Sequence, residues 1–96
     1  MSEYYYKNNH FRIDFKKANE EQTLNISIKV NYQKVCQLTA YYDNKEGFYN
    51  LSDICQPGAT FNLYHLWEDK EGNLSLSDIT SMIIICRWVE DNYLGR

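Results

Sequence analysis

The side chains able to do acid–base, nucleophilic or metal chemistry are few and scattered. Two histidines, His10 and His65, and three cysteines, Cys36, Cys55 and Cys86, are spread along 96 residues with no C-x-x-C pair. Zinc sites draw Cys and His from short, regular spacings, and none occurs. Cys55, His65 and Glu68 supply the types of a nucleophile, a base and an orienting acid. Nothing around Cys55 marks an activated thiol. The carboxylate pairs Glu20–Glu21, Glu68–Asp69 and Glu90–Asp91 fall in turns or at a helix end. Water holds such groups ionised, whereas a general acid needs an apolar pocket. The expectation is a non-enzymatic chain with no metal and no cofactor.

What recurs is an aromatic and acidic hairpin. Residues 38–54, LTAYYDNKEGFYNLSDI, align without gaps to 63–79, LYHLWEDKEGNLSLSDI. The shared Lys-Glu-Gly and Leu-Ser-Asp-Ile describe one unit used twice: an aromatic-ended strand, an acidic turn, a short strand and a Ser-capped helical turn. Side by side, the two hairpins would form one rim of Tyr41, Tyr42, Asp43 and Glu46 with Trp67, Glu68, Asp69 and Glu71. That rim is the candidate partner-binding surface, because aromatics anchor complexes and charge complementarity speeds encounter.

The elements that must position the rim follow from periodicity. Residues 1–9 read as a frayed lead-in, and 10–96 as a single α+β domain. Phe11, Ile13 and Phe15 alternate with Arg12, Asp14 and Lys16, as in a half-buried strand. Leu24, Ile26, Ile28, Val30 and Tyr32 alternate with Asn25, Ser27, Lys29 and Asn31, the strongest strand pattern in the chain. Further strands are predicted over 34–42, 48–51, 61–67 and 74–76, with one helical turn at Ser52–Cys55. A helix capped by Ser77 runs to about Tyr93, its core face being Ile79, Met82, Ile83, Cys86, Val89 and Tyr93. Ile84, Ile85 and Trp88 widen that face and suggest a homodimer through the C-terminal helix. The fold expected is an antiparallel β-meander of five to six strands packed against one helix.

Charge and cysteine usage set the partner class. The chain carries −3 overall, but residues 41–96 hold four Lys/Arg against nine Asp/Glu. An acidic half suits a basic partner surface. The odd cysteine count among apolar neighbours points to reduced, buried thiols and a cytoplasmic protein. The sequence MSEYYYKNNH has no apolar leader run, and no stretch is long enough for a membrane span.

Residues 47–67, GFYNLSDICQPGATFNLYHLW, resemble the front of the KilA-N domain of large DNA viruses and phages. Gly47, Phe48, Asn50, Ser52, Ile54, Cys55, Gly58, Phe61 and Trp67 stand in comparable places. The resemblance implies a phage-type protein that binds DNA. The basic residues of that family are missing, since no Lys or Arg lies between Lys45 and Lys70, and phosphate binding rests on cations. The leading expectation is therefore a phage or mobile-element protein-binding module, an inhibitor, immunity or anti-CRISPR-like protein. It would dock its acidic aromatic rim on the basic site of a nucleic-acid-handling enzyme. A KilA-N-like DNA-binding or regulatory domain is the alternative, drawing on Lys7, Arg12, Lys16, Lys17, Lys29 and Lys34.

Overall fold

The computed structural model describes residues 2–18, 22–45, 48–51, 54, 62–63, 66–71 and 73–94, with the backbone alone at Ser2, Phe48, Asn62 and Trp67. The fold is α+β: an antiparallel meander packed against one C-terminal helix. Six strands follow one another across the main sheet: β1 (Ser2–Tyr6), β2 (Asn9–Lys17), β3 (Thr23–Val30), β4 (Gln33–Asp43), β5 (Phe48–Leu51) and β6 (Asn62–Leu63). A separate hairpin pairs β7 (Leu66–Glu68) with β8 (Leu74–Leu76), and helix α1 (Ile79–Val89) ends in a π-helical turn, Glu90–Leu94.

Alternation decides which face is buried. Phe11 and Ile13 of β2, Leu24, Ile26, Ile28 and Val30 of β3, and Leu38 and Ala40 of β4 all lie on one face. Met82, Ile85, Cys86 and Val89 of α1 close the same core, with Leu74 and Leu76 of β8 at its edge. The opposite face of the sheet is polar, as expected for an antiparallel sheet packed on one side.

Several expectations change on folding. The lead-in is an edge strand: Tyr4 and Tyr6 pack on the core while Glu3 and Tyr5 face out. Three tyrosines in a row hide that alternation in the sequence. Tyr32 is not the inward end of β3. That strand stops at Val30, and Tyr32 sits in the β3–β4 turn, 73% exposed. The strand expected over 61–67 is split, β6 closing the main sheet and β7 starting the hairpin. The helical turn at Ser52–Cys55 lies outside the described residues except for Ile54.

The helix start also shifts. Asp78, not Ser77, is the N-cap: its carboxylate accepts from the Thr80 N–H at 3.3 Å and from the Ser81 hydroxyl at 2.8 Å. Asp caps as well as Ser, and here it satisfies a buried Ser81 too. The buried stripe is Ser81, Met82, Ile85, Cys86 and Val89, which leaves Ile79 exposed before it. The wider π turn carries Tyr93 off the stripe, where its ring meets Trp88 edge-on at 5.6 Å.

The face assignment has a direct test. Ile26→Ala should cost about 2–5 kcal/mol in urea unfolding, through lost burial and the cavity left behind. The adjacent Ser27→Ala should change stability by no more than about 0.5 kcal/mol.

Candidate functional site

The first hairpin keeps its aromatic end open. Tyr41 pairs with Asn50 and Tyr42 with Tyr49 across β4 and β5. Tyr41 is 50% exposed and Tyr42 36%, and the Tyr42 and Tyr49 rings meet edge-on at 5.1 Å. Asp43 starts the turn, one carboxylate oxygen accepting from the Lys45 N–H at 2.8 Å. Tyr41, Tyr42, Asp43, Asn44, Lys45 and Asn50 together line a shallow depression of about 510 Å³. The side-chain oxygen of Asn50, one of the lining residues, is shut from solvent and has no hydrogen-bond partner among the described residues. A buried acceptor left unmade is costly.

The second hairpin engages two of its acids, Glu68 and Asp69. Glu68 reaches the Lys17 ammonium at 2.9 Å, and that hydrogen bond, then its charge, raises the Lys17 pKa. Asp69 accepts from the N–H groups of Glu71 and Asn73, each at 2.9 Å, and from the Asn73 side-chain amide at 3.3 Å. The Asn73 N–H bond leads in holding the Asp69 carboxyl below its ordinary pKa. Asp69 lines a second depression of about 420 Å³ with Arg12, Asp14, Phe15, Asn73, Leu74 and Ser75.

The two hairpins therefore belong to different sheets. What links them is Lys17, ion-paired to Glu68 and within electrostatic reach of Tyr49. The expected rim residues Tyr41, Tyr42 and Asp43 share one depression; Asp69 lies at another; Glu71 is exposed at the β7–β8 turn. Trp67 pairs with Ser75 through its backbone, and Glu46 lies outside the described residues. Of the KilA-N-like segment, the structure describes residues 48–51, 54, 62, 63, 66 and 67.

A third arrangement escaped the sequence reading. The two-residue turns Lys7–Asn8 and Asn31–Tyr32 both hold two successive positive φ values, 49° and 68°, then 51° and 70°. Such turns match the twist of a hairpin. They lie at one end of the sheet, with His10 between them. The His10 side chain is buried on the solvent side, with Tyr32 stacked on it at 4.8 Å and Tyr5 tilted against it at 5.0 Å. Its Nε2 lies 2.7 Å from a Glu3 oxygen, while its Nδ1 is buried without a partner among the described residues. The Asn31 side chain fastens the group: its Oδ1 accepts from the His10 backbone N–H at 3.0 Å, and its Nδ2 donates to the Asn9 Oδ1 at 3.0 Å. The only hint in the sequence was an Asn in each turn, a residue that tolerates positive φ.

Among the described residues no group of three or more His, Cys, Asp or Glu could hold a metal ion. No helix among them is long and apolar enough to cross a membrane. On the helix, Ile79 and Tyr93 stay 61% and 53% exposed, with Ile84 and Trp88 half-buried. Cys86 is a buried free thiol, and burial pushes its pKa from 9.0 to about 12.

Cys86 should escape alkylation in the native protein at about pH 8 and react once the chain is unfolded, as peptide mass spectrometry would show. The unfolded thiol ionises first. Its contribution to stability is thus complete below pH 9.0 and is lost as pH rises from there towards about 12. Alkaline unfolding of Cys86→Ala should lack that component. No family model matches the chain, and neither a curated protein nor a solved structure does.

Proposed function

We propose that this chain is a non-catalytic protein-binding module that docks the open end of the β4–β5 hairpin on a basic site of its partner. One observation carries the reading: two exposed tyrosines and Asp43 line one depression with Asn50, whose buried side-chain oxygen lacks a donor among the described residues. An arginine or lysine head entering the depression would meet ring faces and a carboxylate together. Tyr41 and Tyr42 lose little side-chain entropy on contact, which favours them as anchors.

The rest of the molecule fits such a role. The half of the chain carrying this hairpin holds nine acids against four bases, which draws it towards a basic surface. Glu68 and Asp69 hold the neighbouring elements in place, so the rim expected from both hairpins contracts to the first. The module would act by occlusion, as an inhibitor or immunity protein covering the basic site of a nucleic-acid-handling enzyme. A buried, free Cys86 suits a reducing, cytoplasmic setting.

An arginine-rich peptide added to ¹⁵N-labelled protein tests the site without knowledge of the natural partner. Amide shifts should concentrate at Tyr41, Tyr42, Asp43 and Asn50. The double variant Tyr41→Ala/Asp43→Asn should weaken the peptide about tenfold or more, the loss expected of an interface anchor. Shifts spread over other faces, or an unchanged affinity in the variant, would reject the assignment.

A further inference from the structure

We infer that the solvent face of the sheet, at the end carrying the two tight turns, binds single-stranded nucleic acid. The strand register sets Arg12 opposite Lys29, and a β-bulge after Ile28, which skips Val35, sets Lys29 opposite Lys34. Three cations thus stand in one row across β2, β3 and β4, with neighbours about 4.8 Å apart in strand spacing. Like charges directly opposite one another weaken a sheet, so folding alone gives no reason for the row. Arg12 has Asp14 at 3.3 Å, whereas Glu3, at the end of the row, is turned to His10. With Lys16, this face of β1–β4 holds four cations against Glu3, Asp14 and, at the far end of β4, Asp43, while Asp69 of the second hairpin shares a depression with Arg12 and Asp14.

Beside the row stands an aromatic platform. Tyr32 and Tyr5 are 73% and 70% exposed, yet both are held against the buried His10 ring. Tyr32 keeps a φ of 70°, which costs energy for a bulky residue. Its stack on His10 and the Asn31 bonds fix it there. Cations that track phosphates beside rings that stack bases are what single-strand binders use. A duplex would hide its base faces from the tyrosines, and an acidic peptide would leave the rings unused. Asn25, Ser27, Gln37 and Thr39 line the rest of this face with polar groups. The surface lies at the other end of β4 from the Tyr41–Asp43 depression, so each can fail without the other.

Fluorescence anisotropy of labelled oligothymidine and oligouridine, between about 50 and 200 mM salt, tests the inference. Micromolar binding that weakens with salt is expected. Lys29→Gln/Lys34→Gln should lower the log–log salt slope by about 1.4, two single-strand phosphate contacts. Tyr32→Ala should weaken binding about 5- to 100-fold with the slope kept, and Tyr32→Phe should restore it. Both variants keep core residues, and unchanged circular dichroism would confirm folding. Absence of binding at low salt, or indifference to these substitutions, overturns the inference. So does duplex DNA bound as tightly as the single strand, or polyglutamate bound as tightly and equally weakened by Tyr32→Ala.

Discussion

Everything in this fold hangs on the inward face of β3. Leu24, Ile26 and Ile28 are completely buried, and Val30 nearly so, while Asn25, Ser27 and Lys29 point to the other side. Burying each such aliphatic side chain is worth about 1.5–3 kcal/mol. A one-residue slip would exchange all of them for polar groups. β3 lies between β2 and β4, so its register fixes theirs, and through them the curl that receives the helix. The positions of both proposed surfaces follow from that one register.

The acids of this chain work largely as tethers. Glu90 holds Lys7 at 3.1 Å and ties the β1–β2 turn to the end of the helix. Glu68 joins the second hairpin to the end of β2, Asp69 closes its own turn, and Asp78 starts the helix. Exposed pairs of this kind contribute little individually. Their effect is positional, because each fixes where an element of marginal length sits. With those carboxylates engaged, the solvent face of β2–β4 is left relatively cationic and the β4–β5 hairpin keeps the open aromatic end.

The internal repeat shows how far similar sequence can diverge in structure. Leu51 and Leu76 are equivalent positions, and both are buried. Leu51 pairs with Ala40, whereas Leu76 pairs with Leu66, one residue beyond the equivalent of Ala40. The second turn thereby gains a residue and begins at Asp69 rather than at Glu68. One slipped residue reverses the faces of a strand, which puts Leu66 at the paired position where the first copy has Ala40. The first copy presents aromatics, and the second packs β8 at the edge of the core beside β2.

The sequence alone determined the fold class, the inward faces of β2, β3 and β4, and the two hairpins with the helix after them. Period-two and period-3.6 patterns report burial locally, and burial dominates the energy of those elements. It also marked Tyr41, Tyr42 and Asp43 as neighbours, since a hairpin is a local contact. Tertiary structure alone decided the rest. It made β1 from an unpatterned run of tyrosines by giving it an edge to pair with. It engaged Glu68 by placing Lys17 in reach. It set Arg12, Lys29 and Lys34 in one row and His10 between Tyr5 and Tyr32. Lys17–Glu68, Arg12–Lys29 and His10–Tyr32 join residues distant in the chain, and their registers come from packing that no local pattern encodes.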